Sequence, residues 1–455
     1  MIFFGKKGEK KIFESEVTAD REILEAVKNF LSSEKREEML CGERYYDGEN
    51  DILTRKRMVI GEDGSLVEDK NLSNCRIAHS FFKKLVDQKA QYLLGREFTV
   101  SSKDAEFSEV LENIFDETLK NKIKNLCKEA VVKGCAWLQV YFENGEIRFK
   151  KIPSEEIIPV WADSERRKLQ SVIRVYGIKR GKKTVNAVEH WEDSGVRYFI
   201  LENGRLYPDK ERENSTHFTL DGTGYNFPVV PFVPFKYNEE EISLIRYTKS
   251  LIDDYDLLKS DDSNTICDVP NSVLVVKNYD GQGLGEFRKN LARYKAVKVT
   301  DDGGLDVKNT GISTDMVERH LLLDRKDLYE SGRGVDTQSE DFKTASGVAL
   351  KFLYADLDLD ANGIESEFLV SLNELTKFVK LWLMLVGKGD FTGVKVDFIF
   401  NRDIIINESD AIEQCVKSRE ILSEKTVLEN HPWVKNVEEE FLRKDEEYGR
   451  NAEND

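Results

Sequence analysis

The sequence lacks the short motifs that carry most enzymatic chemistry. It has no GxxxxGK(S/T) loop for nucleotide phosphates, no GxSxG nucleophile motif and no HExxH zinc motif. Histidine is scarce, and its five copies lie far apart: His79, His190, His217, His320 and His431. We therefore expect a protein that is not an enzyme and has no metal ligand and no cofactor.

Two further absences concern the cellular compartment. The six cysteines include no CxxC pair, which favours free thiols in a reducing environment over disulfides or a zinc site. The most apolar window, Phe378–Val386, is far shorter than the ~20 residues of a membrane span and contains Lys380. The sequence around Met1 does not have the pattern of a secretory signal. We expect a protein used in the cytoplasm or in a particle assembled there.

Positive charge is also in deficit, since 68 Lys and Arg residues stand against 85 Asp and Glu residues, a net charge of −17. This balance argues against tight, sequence-independent wrapping of nucleic acid, which requires a basic surface. It is compatible with a passage whose acidic walls repel phosphates. The length of 455 residues suggests about three domains.

The first half of the chain predicts an α+β domain. Helical periodicity covers residues 20–36 and 74–94, and one or two further helices cover 107–132. The pattern then alternates, starting with a hairpin around Asn144-Gly145. The predicted strands are 136–142, 146–152, 170–179, 184–192 and 197–201. The domain closes near residue 237, after a rigid segment that contains three prolines.

The middle of the chain predicts two helices that bracket a small module. The first helix covers residues 239–262 and has apolar residues at the 4-3 spacing of a helix seam. The second covers about 314–330. The elements predicted between them are strands 272–276, 296–299 and 305–307 and a helix over 284–294. An antiparallel helix pair that carries an α/β module at its far end accounts for this order.

A polar loop then leads into a helix of ~40 residues, which would be ~60 Å long. Apolar residues recur at helical spacing from Val348 to Trp382, with a change of phase across 357–363. We expect a bend there, at Asn362-Gly363. So long a helix is more typical of a mechanical component than of an enzyme. A strand pair at 394–400 and 404–406 follows, and then helices from Ser409 onward.

Two patterns that resemble ligand sites have plainer interpretations. Asp358-Leu-Asp360-Ala-Asn362-Gly363 begins like a calcium loop, but Leu369 replaces the glutamate required at the twelfth position, so we expect a solvated acidic helix bend. The glycines at 281–285 lack the spacing of a dinucleotide-binding loop, so we expect a turn.

Charged residues on two other segments leave alternatives open. Asp253, Asp254 and Asp256 diverge around a helix, which favours a solvated or channel-facing stripe over a magnesium site. Arg333 and Lys343 lie beside or within the loop that precedes the long helix. They fit a plain surface loop and equally a loop that touches a moving polyanion.

Several stretches resemble the portal proteins of tailed double-stranded DNA phages, in particular those of siphophages with Gram-positive hosts. They are Tyr45–Gly48, the run Asn74–Phe81 continuing through Val86–Lys89 and Tyr92–Gly95, Val230–Phe235, and Ser346–Phe352 with Leu357–Leu359. Their order along nearly the whole chain, together with the helix–module–helix layout, carries the resemblance.

The resemblance implies an α+β portal fold and a specific division of the chain. The expected parts are an α/β wing (1–237), two antiparallel stem helices (238–267 and 312–333), a small α/β clip (268–311), a tunnel loop (334–345), a long bent helix with wing return strands (346–406) and a short helical crown (407–455).

It also implies a ring, typically of twelve copies, at one capsid vertex of the virion, assembled in the host cytoplasm. This ring would be the channel for packaging and ejection of double-stranded DNA. The implied partners are DNA, the terminase large subunit, a head-completion or adaptor protein, and the major capsid or scaffolding protein, with no membrane. A different phage structural protein without an axial channel is the alternative, and a metal-dependent nuclease is a third.

The resemblance assigns roles to specific side chains. The tunnel-loop residues expected to meet DNA are Asp336, Gln338, Glu340, Asp341, Lys343 and Thr344. The stem residues expected to face the channel are Asp254 and Asp261. The clip residues expected to contact terminase are Arg288, Lys289 and Arg293.

Overall fold

The computed structural model describes residues 20–61, 63–70, 72–143, 145–220, 222–268, 273–277, 304–308, 314–344, 347–402, 408–434, 437 and 440–444. The chain divides into two compact units. Unit 1 comprises Met1–Asp87 and Glu129–Gly332, and unit 2 comprises Gln88–Lys128 and Arg333–Asp455. Helices and strands both contribute substantially, in agreement with the predicted α+β class.

Strands concentrate between residues 135 and 236, and helices form much of the described chain on either side. The helices are α1 (20–31), α2 (Glu34–Tyr46), α3 (Phe81–Leu94), α4 (Ala105–Ile114), α5 (Glu117–Lys133), α6 (Ile245–Asp268), α7 (Thr314–Ser331), α8 (Glu340–Thr344), α9 (Gly347–Leu353), α10 (Ala355–Leu385), α11 (Glu408–Ser418) and α12 (Glu424–Glu429). The strands are β1 (Met58–Ile60), β2 (Leu66–Glu68), β3 (Thr99–Ser102), β4 (Cys135–Glu143), β5 (Glu146–Ile152), β6 (Ile157–Trp161), β7 (Leu169–Arg180), β8 (Lys183–Glu192), β9 (Gly195–Glu202), β10 (Arg205–Pro208), β11 (Phe218–Leu220), β12 (Thr223–Tyr225), β13 (Phe232–Lys236), β14 (Val273–Lys277), β15 (Gly304–Lys308) and β16 (Val396–Ile399).

Two antiparallel sheets form the centre of unit 1. One has five strands in the order β10-β9-β8-β7-β6, and the other has three in the order β13-β4-β5. A core that includes Trp137, Val172 and Trp191 unites residues of both sheets. On the other face of the larger sheet, Ile23 and Val27 of α1 pack against further strand residues. The larger sheet is therefore buried on both faces, which explains the near-continuous apolar run in β7.

Two predicted helices of unit 1 have different bounds in the structure. The helix predicted over 20–36 is two helices, because the Ser33 side chain accepts a hydrogen bond from the Arg36 N–H at 3.2 Å and caps α2. The helix predicted over 74–94 begins only at Phe81. The backbone N–H groups of Cys75, Ile77 and His79 instead bind side chains of α6. These three hydrogen bonds give the backbone amides of the segment partners that a helix would otherwise supply.

The predicted helix–module–helix order is present where the structure describes it. Helix α6 begins at Ile245, later than predicted, and α7 packs against it within unit 1. Strands β14 and β15 pair antiparallel between the two helices in sequence, with Val273 opposite Lys308. The predicted helix over 284–294 and the strand over 296–299 lie outside the described residues.

Unit 2 is built around the long helix. Helix α10 runs without interruption through Asn362 and Gly363, where a bend is predicted, and the chain breaks at Tyr354. Tyr354 stacks on Tyr92 at 5.9 Å between ring centroids and packs against the cluster of Val335 and Leu357, which favours a break at that point. The change in phase of the apolar residues across 357–363 therefore falls within one continuous helix.

The return strand β16 has a partner that the sequence did not predict. Strand β16 pairs antiparallel with β3, a distant partner in sequence, with Phe398 opposite Val100. The strand predicted over 404–406 lies outside the described residues. Among the described residues, no helix is both long enough and apolar enough to cross a membrane.

Candidate functional site

Helix α6 carries a row of buried polar side chains that bind a neighbouring segment of unit 1. Asp256, Ser260 and Asn264 follow one another at four-residue spacing, and all three are fully buried. Four helical residues rise about 6 Å, and two residues of nearly extended chain span about 6.6 Å. Alternate backbone N–H groups of the segment can therefore meet successive turns of the helix.

The hydrogen bonds follow this spacing. The Cys75 N–H donates to Oδ1 of Asn264 at 2.6 Å, and the Ile77 N–H donates to Oγ of Ser260 at 3.0 Å. The His79 N–H donates to Oδ1 of Asp256 at 3.0 Å. We call these three bonds the α6 ladder. It fixes the segment 75–79 to α6 along about two helical turns.

Asp256 is the most heavily bonded member of the ladder. Its Oδ1 also lies 2.7 Å from Nδ1 of His79, and its Oδ2 accepts a hydrogen bond from the Asn50 side chain at 2.6 Å. The expectation that Asp256 belongs to a solvated or channel-facing stripe is therefore wrong, because its side chain is fully buried within the chain. A buried carboxylate is stable there because several donors replace the water it has lost.

The other acidic residues of α6 have individual partners in unit 1. Asp253 accepts hydrogen bonds from the Tyr45 hydroxyl and from Lys249. Asp261, which the resemblance places at the channel, lies 2.9 Å from an Arg55 guanidinium nitrogen and 3.5 Å from one of Arg57. Its charge is thus balanced by residues of the same chain.

Asp254, the second predicted stem residue, is half-exposed and faces α7. Its Oδ2 lies 3.5 Å from Nε2 of His320, and the same nitrogen lies 3.5 Å from Oδ1 of Asp324. Burial raises the pKa of Asp324; His320 opposes this shift and Asp254 adds to it. Asp324 follows His320 by four residues, which places both side chains on one face of α7. This spacing is the sequence signal that could have located the group.

The predicted terminase-contact residues Arg288, Lys289 and Arg293 lie outside the described residues. The pairing of β14 with β15 is the described part of that module.

Within unit 2, the predicted tunnel-loop segment is held at its base and exposed at its tip. The side chain of Gln88 accepts a hydrogen bond from the Val335 N–H at 2.9 Å and donates one to the Val335 carbonyl at 3.0 Å. Val335 itself is buried, and Phe342 packs against the same cluster. The buried side chain of Val335, the packed ring of Phe342 and the two hydrogen bonds with Gln88 thus hold this polar segment in place.

The predicted contact residues occupy the part of the segment between and after these two apolar residues. Asp336 is half-buried, and its carboxylate accepts the Gln338 N–H at 3.0 Å. Gln338, Glu340, Asp341, Lys343 and Thr344 are exposed. The Lys343 ammonium is 52% exposed and lies 3.6 Å from a Glu340 carboxylate oxygen, so it is weakly paired and free to meet a ligand.

Five residues of the segment, Glu340–Thr344, form the short helix α8. The Ser339 hydroxyl accepts the Phe342 N–H at 3.1 Å, which caps this helix at its start. The sequence predicts a loop here, and the structure provides a loop followed by a single helical turn. A turn of helix holds Asp341 and Lys343 in fixed relative positions.

A buried ion pair supports the base of the same segment. The Lys89 ammonium lies 2.6 Å from a carboxylate oxygen of Asp360 and donates to the Arg333 carbonyl at 3.2 Å. Burial lowers the pKa of Lys89, and the charge of Asp360 partly offsets this effect. The expectation of a solvated acidic bend is thus wrong for Asp360, whose side chain is only 10% exposed.

Asp358, two residues before Asp360 on α10, has different partners in unit 2. It accepts a hydrogen bond from the Tyr92 hydroxyl at 2.7 Å and lies 3.2 Å from a guanidinium nitrogen of Arg402. The two aspartates of the calcium-like pattern therefore each neutralise a separate partner. Their function in the structure is to tie α10 to α3 and to the residues after β16.

Comparison with known proteins gives a consistent result over the whole chain. The family model described as "Phage portal protein, SPP1 Gp6-like" matches residues 32–454. The portal protein of Bacillus phage SPP1 is 33% identical over 466 aligned positions, which cover 99% of this chain and 92% of that protein. The portal protein of Clostridium phage phiCD119 is 31% identical, covering 91% of this chain and 94% of that protein. The chain therefore belongs to the SPP1-type family of phage portal proteins.

Proposed function

We propose that copies of this chain close into a ring at one vertex of a phage capsid, as its portal. The ring, expected to contain about twelve copies, forms the channel through which double-stranded DNA is packaged and ejected. The observation that carries this proposal is the family match across residues 32–454 together with the two relatives named as portal proteins.

The segment after α7 supports a role in contact with moving DNA. Residues 336–344 present carboxylates, amides and one ammonium to solvent on a base fixed by Gln88 and Val335. A ring multiplies each of these groups by the number of copies. Acidic rings repel the DNA backbone, and a sparse basic ring at Lys343 gives weak, repeated phosphate contacts without reading sequence. These two properties suit a conduit through which DNA must slide.

The division of the chain into functional parts belongs to the same proposal. Helices α6 and α7 act as the antiparallel stem, and β14 with β15 belongs to the clip that docks the terminase and later the head-completion protein. Residues 334–345 act as the tunnel loop, the long helix α10 and the two sheets as the wing, and residues from 407 as the crown toward the capsid interior. Asp254 and Asp261 belong to the stem, and Arg288, Lys289 and Arg293 to the clip.

The chain itself performs no catalysis in this proposal, and a separate ATPase supplies the energy of packaging. The runner-up function is a minor head or adaptor protein that binds the capsid without an axial channel, and the third is a nuclease. Native mass spectrometry of the purified full chain over a range of salt concentrations distinguishes the first two. Closed oligomers of about twelve copies support the portal, and monomers under every condition contradict it. Magnesium-dependent cleavage of duplex DNA by the pure protein would favour the nuclease.

A further inference from the structure

The candidate for a new site is the group formed by Asp254 on α6 and by His320 and Asp324 on α7. All three residues belong to unit 1. One potential ligand atom of each lies within 4.8 Å of the others, and no other such group of three occurs among the described residues. The two helices thus bring an imidazole and two carboxylates to one point.

The distances between these groups are long for hydrogen bonds. Both contacts of His320 Nε2, to Asp254 and to Asp324, are 3.5 Å, whereas a charge-assisted hydrogen bond closes to about 2.8 Å. Two ligands of a tetrahedral Zn²⁺ ion, each about 2.1 Å from the metal, lie about 3.4 Å apart. The two separations from His320 therefore match donors around a central ion better than donors bonded to one another, and the Asp254 and Asp324 oxygens lie within 4.8 Å of each other.

Asp324 supplies an independent observation. The residue is 7% exposed, and its Oδ2 is buried without a hydrogen-bond partner among the described residues. A carboxylate oxygen that has lost its water and found no donor is costly unless a cation balances it. Asp254 and His320 are each at least half-exposed, so solvent and a metal ion can reach the group.

We propose that Asp254, His320 and Asp324 bind a divalent transition-metal ion of the zinc class, which links the two helices within each copy of the chain. One neutral imidazole and two carboxylates give a charge of −2, which matches the ion, and leave a fourth position for water. An imidazole ligand favours such ions over magnesium or calcium, which prefer oxygen. The site is distinct from any channel function, because it depends only on the pairing of α6 and α7.

The test is Zn²⁺ binding to the full-length protein, measured by calorimetry and by competition with a chromophoric chelator under reducing conditions. We expect one ion per chain, and we expect Asp254→Asn and His320→Gln each to weaken binding at least ~10-fold. Both residues are at least half-exposed, so these variants retain the fold. Asp315→Asn, an exposed carboxylate on the same helix, and His431→Gln are the controls, and both should bind as the parent does.

Two further readouts exclude binding elsewhere in the chain. Co²⁺ in place of Zn²⁺ should give the visible absorption of a four-coordinate site in the parent and lose it in His320→Gln. Zn²⁺ should raise the midpoint of thermal unfolding of the parent by more than that of Asp254→Asn. Equal Zn²⁺ affinity in the parent and in both site variants, or the absence of stoichiometric binding, overturns the proposal. Neither result would affect the proposed ring.

Discussion

The buried carboxylate of Asp256 accepts a hydrogen bond from the backbone of His79 at 3.0 Å and contacts Nδ1 of the same residue at 2.7 Å. The backbone N–H and the imidazole of His79 are thus both held by the Asp256 side chain. With Ser260 and Asn264, this contact holds a non-helical segment against a helix by side chain-to-backbone bonds, in place of a strand ladder.

The first prediction concerns this carboxylate. Asp256→Ala should lower the free energy of unfolding by about 3 kcal/mol, because it leaves buried donors of Asn50 and His79 without an acceptor. Denaturant unfolding followed by circular dichroism measures the change. Asp262→Ala on the same helix is the matched control, since Asp262 is partly exposed and its pair with Lys259 is 3.5 Å apart. Its expected cost is below ~0.5 kcal/mol. Equal effects of the two substitutions would show that the α6 ladder contributes little.

The second prediction concerns the buried pair of Lys89 and Asp360. Lys89→Met should destabilise unit 2 by about 3 kcal/mol, because it removes the charge that balances Asp360 and the bond to the Arg333 carbonyl. Adding Asp360→Leu should recover at least ~1 kcal/mol of that loss. Lys83→Met, an exposed lysine on the same helix, should cost less than ~1 kcal/mol. Hydrogen exchange of the Val335 amide should accelerate in Lys89→Met. Unchanged exchange there would show that the Lys89–Asp360 ion pair does not stabilise the base of the tunnel-loop segment.

The third prediction concerns the tunnel-loop segment. Lys343→Ala and Asp341→Asn should each reduce the yield of packaged DNA several-fold. In the proposed ring, the first removes a phosphate contact, and the second removes an acidic group that keeps DNA from adhering. Assembly and thermal stability should be unchanged, since both side chains are exposed. The measurement is DNase-protected DNA in particles made with each variant. Lys377→Ala, an exposed lysine on α10 that pairs with Glu374, is the control. Normal packaging by both loop variants would remove the case for this segment.

The fourth prediction concerns thiol reactivity. Burial raises the pKa of Cys127 to about 12, and burial also raises the pKa of Cys135. At pH 8 a thiol of pKa 12 is ionised to about 1 part in 10⁴, so it reacts slowly even when reached. The exposed Cys267 should therefore react rapidly with a thiol-specific dye, while Cys127 and Cys135 react only after unfolding. In Cys267→Ser the fast phase should shrink by one thiol. A full-sized fast phase in that variant would contradict the assignment of fast reaction to Cys267, and fast labelling of Cys127 or Cys135 in the folded protein would contradict their burial.

The fifth prediction concerns pH. Burial and then the neighbouring Arg197 lower the pKa of His190 from its ordinary value of 6.5 to about 4. The folded protein therefore holds this imidazole neutral, while the unfolded chain protonates it below pH ~6.5. The stability that depends on the neutral form is present above pH 6.5 and is lost as the pH falls toward 4. His190→Gln should flatten the decline of unfolding free energy between pH 6.5 and 4, by up to about 3 kcal/mol. An identical pH profile in parent and variant would contradict this assignment.

Sequence patterns predicted the elements whose residues contact near neighbours in the chain. The β4–β5 hairpin follows from Asn144-Gly145, and β7, β8 and β9 coincide with strands predicted over 170–179, 184–192 and 197–201. The segment 74–80 was predicted helical because its apolar spacing continues that of α3. Its amides bind α6 almost two hundred residues away, and no local pattern contains that information.

The same limit applies to the charged residues. Asp256, Asp261 and Asp360 look alike in sequence, as carboxylates on helices, and only the fold shows that each meets a different partner. The glycine at 363 does not interrupt helix α10, whereas the chain breaks at Tyr354, which stacks on Tyr92 from a distant part of the sequence. By contrast, the spacing of His320 and Asp324 was visible in the sequence, but its significance depends on Asp254 from another helix.

The proposed portal function depends most directly on identical copies surrounding a channel, with residues 336–344 turned toward its axis. Electron microscopy of the purified full-length protein, carried to a three-dimensional reconstruction, measures this. We predict a ring with an open central bore whose narrowest part is lined by Lys343 and its neighbours. A particle without a bore, or a ring that carries residues 336–344 on its outer rim, would contradict that function.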